Sequence, residues 1–385
     1  MPDDMRDWRH DIHKHPELGF GVERTAERVA ALLETFGFEV HTGIGMTGVV
    51  GILKRGDGNR AIGLRADMDA LPMQEANEFA HRSVHDGVFH GCGHDGHTAM
   101  LLGAAERLAG EGGFDGTVYA IFQPSEEDGL GALAMIDAGL FERFPMEAVY
   151  GMHNMPGIPA GHFAVRKGSI MTSEDIFIID IEGRGGHASM PERSVDPVVI
   201  GCEIVLALQT IVSRSLSARD WGVVSVTEFI TDGVRNVIPS NVTIKGDCRS
   251  LSLETQDRLE TRMRDIVEGI CKAHGATGRV EYRREFIATV NTPTETEAAI
   301  AAAEAVSRRA DVEIDPDCLT CSASEDFARM LQEKPGCYIL IGNGTDGHCG
   351  SSLHNPNYDL NDDILAIGCD YWVELVRQQL PQKAV

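Results

Sequence analysis

The residues best suited to catalysis lie close together in the segment Phe89-His-Gly-Cys-Gly-His-Asp-Gly-His97, which carries a thiol, three imidazoles and a carboxylate. Its glycines allow the backbone to bend close to a ligand. Cys92 and His94 are two positions apart, so on an extended segment both side chains point to the same side and could reach one metal ion or a pair of ions. A flexible, histidine-rich surface loop is the alternative that this segment alone leaves open.

A second reactive pair, Glu126 and Glu127, follows the apolar run 117–122 and precedes Asp128. Consecutive side chains on an extended chain point in opposite directions. One glutamate can therefore bind a metal ion while the other stays free, and the closeness of the two charges raises one pKa towards the range of a general base. The alternative is a solvated acidic turn that caps the following helix.

Two isolated histidines and two aspartates complete the set of candidate site residues. His153 ends an apolar run, and His354 lies in the segment Ser352-Leu-His-Asn-Pro-Asn-Tyr358. Either histidine alone would be interpreted as structural, but all these clusters lie at strand ends or in adjoining loops, which predicts one site across the edge of a sheet. Asp67 and Asp69 would share one face of a strand end and could orient the ring of a metal-binding histidine.

The elements that would carry these residues alternate between glycine-bounded apolar runs and segments of helical period, which is the pattern of an α/β fold. The first part of the chain predicts helices at 22–36 and 97–108 and strands at 48–53, 61–64, 117–122 and 148–153. Later helices at 295–309, 324–331 and 361–379 and a strand at 337–341 would return the chain to the same sheet. The reactive clusters follow the strands, where open α/β sheets bind ligands.

The region between residues 172 and 288 has a different order of elements. Strands at 175–181, 223–230, 241–248 and 279–286 alternate with long helices at 195–216 and 253–274. This βαββαβ order is typical of a ferredoxin-like α+β sandwich. We therefore predict an α/β catalytic domain with a mixed sheet, formed by residues 1–171 and 289–385, and an inserted satellite domain formed by residues 172–288.

The composition excludes several classes of protein. The 385 residues include 59 acidic and 34 basic side chains, and the resulting formal net charge of −25 would repel nucleic acid. With 43% hydrophobic and 24% charged residues, the chain is unlike disordered or collagen-like proteins. The beginning of the chain has no apolar secretion signal, and no run of about 18 apolar residues predicts a membrane span. We expect a cytoplasmic protein without a nucleic-acid or membrane partner.

Six motifs in this sequence resemble, in order, those of the M20 peptidase family. They are Arg9-His-Asp-Ile-His-Lys-His-Pro-Glu17, Asp67-Met-Asp-Ala-Leu-Pro72, Gly91-Cys-Gly-His-Asp-Gly-His-Thr98, Gln123-Pro-Ser-Glu-Glu127, Gly185-Gly-His-Ala-Ser189 and Asn236-Val-Ile-Pro-Ser240. The similarity is closest to the amidohydrolase branch, which includes hippurate hydrolases and hydrolases of indoleacetyl amino acids. The resemblance implies a zinc-peptidase-like catalytic domain and a satellite domain that acts in closure or dimerisation.

The resemblance also implies a site with two divalent metal ions per subunit. The implied ligands are Cys92, His94, Glu127, His153 and His354, and Cys92 would bridge the ions. Zinc is the expected metal, with manganese, cobalt or nickel as alternatives, because a sulfur ligand beside imidazole and carboxylate disfavours magnesium and calcium.

Three further roles follow from the same resemblance. Glu126 would be the general base, and Asn236 would contact the substrate. His187 would stabilise the oxyanion, either within its own subunit or across a dimer interface into the partner's active site. The satellite domain would accordingly form a homodimer or a higher homo-oligomer.

The expected activity is the hydrolysis of an N-acyl amino acid to a carboxylic acid and an amino acid. Two alternatives remain open: a metal-independent cysteine amidase, with Cys92 as nucleophile and His94 or His97 as base, and a non-catalytic protein that binds metal ions or acyl amino acids. The sequence does not select the acyl group among hippurate-like, acetyl and indoleacetyl substrates. No role is assigned to His348 and Cys349.

Overall fold

The structure is a computed structural model that describes residues 2–382. The chain divides into two compact units. The larger unit comprises Met1–Ile170, Val290–Thr320 and Glu325–Val385, and the satellite unit comprises Met171–Thr289 with Cys321–Ser324. The sequence-based boundaries, at residues 172 and 288, differ from these by one residue at each end and omit the short segment Cys321–Ser324.

The first part of the larger unit alternates helices and strands. Its elements are α1 (Pro2–Lys14), α2 (Glu23–Phe36), β1 (Glu39–Ile44), β2 (Gly48–Arg55), β3 (Ala61–Asp67), α3 (His94–Glu111), β4 (Gly116–Gln123), α4 (Gly131–Asp137), α5 (Leu140–Arg143), β5 (Ala148–Pro156), β6 (Phe163–Ala164) and β7 (Gly168–Met171). The predicted helices and strands of this part are confirmed, whereas α1, β1, α4, α5, β6 and β7 were not predicted.

The satellite unit follows without interruption. Its elements are β8 (Glu174–Glu182), β9 (Gly186–His187), α6 (Pro197–Thr210), β10 (Gly222–Thr231), β11 (Val237–Ile238), β12 (Asn241–Ser250), α7 (Leu253–His274) and β13 (Thr277–Phe286). The chain then continues through β14 (Thr289–Asn291), α8 (Pro293–Ala310), β15 (Ile314–Asp315), α9 (Phe327–Glu333), β16 (Gly336–Gly344), α10 (Gly347–Gly350) and α11 (Leu365–Gln379).

The larger unit is built on an eight-stranded mixed sheet with the strand order β1-β2-β4-β3-β5-β16-β6-β15. Its four central strands β4, β3, β5 and β16 run parallel to one another. All four are buried along nearly their whole length. Their carboxyl ends therefore meet at one edge of the sheet, and this edge receives the candidate site residues.

Helix α3 shows why this sequence delivers reactive side chains to that edge. The helix begins at His94, three residues earlier than predicted, because Gly93 adopts a left-handed conformation (φ 96°) that turns the loop directly into the helix. Thirteen of its 18 residues are buried. The helix packs against β3, β4 and β5 and against the helices α1, α2 and α11, so its first turn is held firmly at the edge of the sheet.

The satellite unit has the predicted ferredoxin-like topology. Its four-stranded sheet has the order β10-β12-β8-β13, and all neighbouring strands are antiparallel. Helices α6 and α7 pack on this sheet through a core that includes Phe177, Leu208 and Met263. Helix α7 begins where Ser252 accepts a hydrogen bond from the backbone amide of Thr255 and ends at the left-handed Gly275.

Helix α6 presents an apolar face to the surface. Together with the π-helical turn Ile211–Ser215 it is long and apolar enough to cross a membrane by length and composition, with a mean hydropathy of 1.6, and 28% of this stretch is buried. The sequence analysis did not identify it, because charged and polar residues interrupt the apolar run. A single such helix is weak support for a membrane span, since core helices of water-soluble proteins pass the same test.

Candidate metal centre and active site

The five predicted metal ligands converge at the carboxyl edge of the central strands. Cys92 lies in the loop before α3, His94 begins α3, Glu127 lies in the turn after β4, His153 lies in β5, and His354 lies in the loop after α10. Their donor atoms form two groups of three, each with all atoms within 4.8 Å of one another. One group is Cys92, His94 and His153, and the other is Cys92, Glu127 and His354.

The donor atoms of the two groups lie in direct contact with one another. Cys92 Sγ lies 3.4 Å from His153 Nε2, and Glu127 Oε2 lies 3.4 Å from His354 Nε2. Two other buried donor atoms, His94 Nε2 and Glu127 Oε1, have no hydrogen-bond partner among the described residues. Buried polar atoms without a partner are costly. Cations bound between the two groups would satisfy both atoms.

The pKa values of the donor residues also favour the binding of cations. Burial alone would lower the pKa of His94, but the carboxylates around it, Asp67 foremost, raise it to about 10. Burial, together with the charges of Glu127 and Glu126, raises the pKa of the Cys92 thiol well above its usual range. The site therefore holds excess negative charge, and a divalent cation would replace the His94 proton and stabilise the thiolate.

Two of the imidazoles are oriented by backbone carbonyls. His94 Nδ1 donates to the carbonyl oxygen of Asp69 at 2.9 Å, and His153 Nδ1 donates to that of Asn154 at 2.6 Å. A carbonyl oxygen can only accept, so both rings carry their hydrogen on Nδ1 and direct Nε2 into the cluster. This orientation is typical of metal-binding histidines.

The two consecutive glutamates occupy different electrostatic environments. Burial, followed by repulsion from Glu325 and Glu127, raises the pKa of Glu126 well above the usual value for a glutamate. The pKa of Glu127 is lowered, because His354 and His94 oppose the effect of burial. Glu126 Oε2 lies 3.8 Å from His94 Nε2. A buried carboxylate with a raised pKa beside a set of metal ligands can accept and return a proton.

A buried ion network lies behind Glu126 and was not predicted. Arg65 donates to Glu325 Oε1 and to Asp326 Oδ1, at 3.0 Å each, and to Gln123 Oε1 at 2.9 Å. The Tyr338 hydroxyl donates to the other oxygen of Glu325. All five side chains are buried. The guanidinium binds both acids, and Glu325 and Asp326 form with Glu126 a further group of buried donors that could hold a metal ion.

The two aspartates chosen from the sequence have different partners. Asp69 Oδ1 lies 3.4 Å from His94 Nδ1 without a hydrogen bond, since that ring nitrogen donates to the Asp69 backbone carbonyl, and Asp69 Oδ2 accepts from the Glu127 amide at 3.1 Å. Asp67 instead accepts from His97 Nδ1 at 2.6 Å and from Arg65 at 2.7 Å. His97 was assigned in the sequence only as a base in the alternative mechanism. A position of His97 near the site could have been predicted from its spacing, because residues three apart on a helix, such as His94 and His97, lie on the same face.

The family assignment comes from the sequence as a whole. The pattern of peptidase family M20/M25/M40 matches residues 63–378, which is most of the chain. The chain belongs to this family.

Individual members of family M20/M25/M40 match over nearly the full length. The hippurate hydrolase of Campylobacter jejuni is 40% identical over 372 residues, which cover 97% of this chain and 95% of that protein. The IAA-amino acid hydrolase ILR1-like 2 of Arabidopsis thaliana is 35% identical over 388 residues, covering 98% of this chain and 86% of that protein. A solved dinuclear metal-binding peptidase of family M20 from Bacillus subtilis has a TM-score of 0.85 at 30% identity and covers 98% of both chains.

Within this M20 chain, His187 and Asn236 lie together but in the satellite unit. His187 is in β9, which pairs with β11 (Val237–Ile238), and the Ala188 amide donates to the Asn236 carbonyl at 3.1 Å. His187 is exposed, and its Nδ1 accepts from the Ser189 hydroxyl at 2.8 Å. The two residues predicted to approach the substrate thus share one short ribbon, which was not predicted.

His348 and Cys349 belong to none of the metal-ligand groups found in residues 2–382. His348 Nδ1 donates to the Asn357 carbonyl at 2.9 Å, and the His348 carbonyl accepts from the Asp359 amide at 3.3 Å. Both bonds stabilise the loop that carries His354. His348 therefore stabilises this loop through its hydrogen bonds.

Proposed function

We propose that the protein hydrolyses the amide bond of N-acyl amino acids and that it holds two divalent metal ions to do so. The observation that carries this proposal is the arrangement of the five donors. They form two groups that share Cys92, and Glu126 lies beside them as a buried carboxylate that neither group requires. A binding protein has no need of such a base. The names of the hippurate hydrolase and of the dinuclear peptidase support the substrate class and the number of ions.

The chemistry follows from the roles of the residues. When bound, two close cations would polarise the amide carbonyl and lower the pKa of a water molecule. Glu126 accepts a proton from the attacking water and delivers it to the leaving nitrogen, so the amide carbon–nitrogen bond breaks and a carboxylic acid and an amine are released. The backbone carbonyl of Asp69 holds His94 in its orientation throughout.

We propose zinc as the native metal, with manganese, cobalt or nickel as alternatives. The thiolate of Cys92, three imidazoles and a carboxylate form a mixed set of soft and borderline ligands, and magnesium and calcium prefer oxygen ligands. These donors can bind any of the four metals, so we expect metal availability to decide which of them the protein holds.

We further propose that His187 stabilises the oxyanion, that Asn236 contacts the substrate and that the protein acts as a homodimer through its satellite unit. Leu206 and Val199 on α6 are 73% and 58% exposed, and β10 ends the satellite sheet without a described neighbour on its outer side. An exposed apolar helix beside a sheet edge is typical of an interface between proteins. Sedimentation of Leu206→Glu tests this dimer. We expect the variant to be monomeric, whereas a dimer formed through another surface would persist.

A cysteine amidase is the second candidate, and one distance favours it. Cys92 Sγ lies 3.4 Å from His153 Nε2, a nucleophile–base separation, although the sequence analysis named His94 or His97 as the base. The raised pKa of Cys92 argues against this candidate, because without a cation the thiolate is scarce. We propose a cytoplasmic enzyme without a nucleic-acid partner on the basis of its composition.

Amino-acid release from hippurate, N-acetyl and indoleacetyl amino acids tests the proposed function. The protein is assayed as purified, after removal of metal by a chelator, and after addition of zinc, manganese, cobalt or nickel. We expect activity to disappear with the metal and to return with it. Full activity of the metal-free protein would support the cysteine amidase. A metal-loaded protein that hydrolyses none of these substrates would contradict the proposal.

A further inference from the structure

A chain of four buried side chains runs beneath the proposed ligands. His97 Nδ1 donates to Asp67 Oδ1 at 2.6 Å, and His97 Nε2 lies 2.8 Å from Asn154 Oδ1. Asn154 Nδ2 then donates to the Tyr358 hydroxyl at 2.5 Å. All four residues are at most 2% exposed. The sequence analysis considered Asp67 as an orienting residue and His97 as a base of the alternative mechanism, but it assigned no role to Asn154 or Tyr358.

Each member of this chain lies on a segment that also carries a ligand or contacts one. His97 follows His94 by one turn of α3, Asn154 directly follows His153 in β5, and Tyr358 lies four residues after His354. The fourth member, Asp67 at the end of β3, has Oδ2 3.9 Å from His94 Nε2. The chain therefore ties together segments that carry ligands of both groups.

The chain also packs against the backbone between two ligands. Gly93 lies between Cys92 and His94, and a Cβ atom added there would come within 2.3 Å of Asn154 Oδ1 and 2.6 Å of the Tyr358 hydroxyl oxygen. Asn154 and Tyr358 thus occupy the space that a side chain at position 93 would need. Close contact of this kind leaves the Cys92 backbone little freedom to move relative to the Tyr358 segment.

The His354 segment needs such support. His354 adopts a left-handed conformation (φ 61°), which is unfavourable for a residue with a side chain, and its side chain is 53% exposed. Its backbone amide donates to the Gly91 carbonyl at 2.9 Å, and Asn77 donates to the Tyr358 carbonyl at 2.9 Å. The Tyr358 hydroxyl, which accepts a hydrogen bond from Asn154, links this segment to β5.

We propose that Asn154 and Tyr358 are positioning residues that set the distance between the two ligand groups, so that the group containing His354 binds its ion tightly only when this hydrogen bond is made. The inference rests on the proposed binding of two metal ions. The partners that orient metal ligands typically contribute about 10-fold to 100-fold in metal affinity. The loss should fall on one of the two ions, because His94 and His153 keep their own backbone partners.

Stepwise binding of zinc to the full-length protein, measured by competition with a chromophoric chelator, tests this inference. Tyr358→Phe removes the hydroxyl and keeps the ring. We expect one of the two affinities to fall about 10-fold to 100-fold, with the other unchanged. Tyr371→Phe is the matched control, because Tyr371 is equally buried and its hydroxyl has no hydrogen-bond partner among the described residues.

The other outcomes separate this inference from the proposed function. Two ions bound by Tyr358→Phe with wild-type affinities would overturn the positioning role and leave the two-metal proposal standing. An equal loss of both affinities, together with a lower unfolding temperature of the metal-free protein, would reveal a merely structural role. A wild-type protein that binds fewer than two ions would overturn both proposals. Asn154→Ser, which breaks the same chain at its centre, provides the same test if Tyr358→Phe does not fold.

Discussion

The ligand cluster of the larger unit and the His187 ribbon of the satellite unit differ in what holds them. Cys92, His94 and His153 of the cluster are buried at the ends of parallel strands, and backbone carbonyls fix the orientation of both of these imidazoles. His187 in the ribbon of β9 and β11 is exposed, and among the described residues its ring forms hydrogen bonds only with Ser189, two residues away. One region is held by partners from several segments of its own unit, whereas the His187 ring is held only by the turn in which it lies.

This difference determines how mutations in the two regions should behave. In the cluster, replacing a ligand should change metal content, whereas replacing the base should change turnover alone. In the ribbon, a mutation should leave metal content untouched whatever it does to activity. The following predictions use this separation, beginning with the largest effect.

Glu126→Gln should lower kcat about 10²-fold to 10⁴-fold while metal content stays at the wild-type level. The amide is nearly isosteric with the carboxylate but cannot accept the proton of water. Glu127→Gln is the matched comparison, because it should lose metal first and activity as a consequence. Metal analysis and kinetics of both variants distinguish the roles, and near-wild-type kcat in metal-loaded Glu126→Gln would exclude Glu126 as the base.

His187→Ala should lower kcat about 10²-fold to 10³-fold without loss of metal, since an imidazole at a developing oxyanion contributes by this amount. The control is His274→Ala, an exposed histidine of the same unit that bonds to Glu203. Full activity of His187→Ala would refute its catalytic role.

Mixed dimers sharpen the same comparison. If His187 acts on the partner's site, heterodimers of His187→Ala and Glu126→Gln should regain part of the activity, because one of their two sites has both residues intact. Heterodimers that remain inactive would place His187 in the same subunit as the site it serves.

Asp69→Asn should weaken metal affinity about 10-fold to 100-fold, because it removes the carboxylate charge 3.4 Å from His94 Nδ1 and alters the acceptor of the Glu127 amide. The expected readout is the zinc concentration needed to restore activity to chelator-treated protein. Asp137→Asn, an exposed carboxylate of the same unit, should behave as wild type. An unchanged zinc requirement for Asp69→Asn would remove Asp69 from the site.

Asp175→Asn concerns the satellite core and should have the smallest effect. Asp175 is buried with two neutral donors, Gln256 and Tyr282, and burial raises its pKa to about 6. Because the folded state binds this proton more tightly than the unfolded state, its stabilising contribution is complete below about pH 4 and is lost as the pH rises through 6. Relative to wild type, the variant should gain about 2–3 kcal/mol in unfolding free energy between pH 4 and pH 8. Urea unfolding at several pH values measures this, and a constant difference would contradict the assignment.

The sequence predicts the ligand cluster well because each of its parts is local. Cys92 and His94, or Glu126 and Glu127, are neighbours in sequence at a strand end or a helix start, and the parallel strands bring such ends together. Helix α1 could have been predicted in the same way, since Met5, Trp8 and Ile12 are buried at helical spacing.

The buried networks could not be predicted in this way, because their partners are distant in sequence. Arg65 meets Glu325 across 260 positions, and Asn154 meets Tyr358 across 204 positions. No period or motif in one segment indicates such pairings, because they depend on how strands and loops are arranged in the folded unit. The same limit applies to the ribbon, where Asn236 reaches the His187 segment through β-pairing.

The central claim is that Cys92 contributes to both ligand groups, and titration of the metal-free protein with Co²⁺ tests it most directly. A thiolate bound to cobalt produces a sulfur-to-metal charge-transfer band in the near ultraviolet. The account predicts that this band grows until two ions per chain are bound, and that Cys92→Ser lacks the band and binds cobalt more weakly. A wild-type protein that binds cobalt without the band, or a Cys92→Ser variant that retains it at full strength, would contradict the claim.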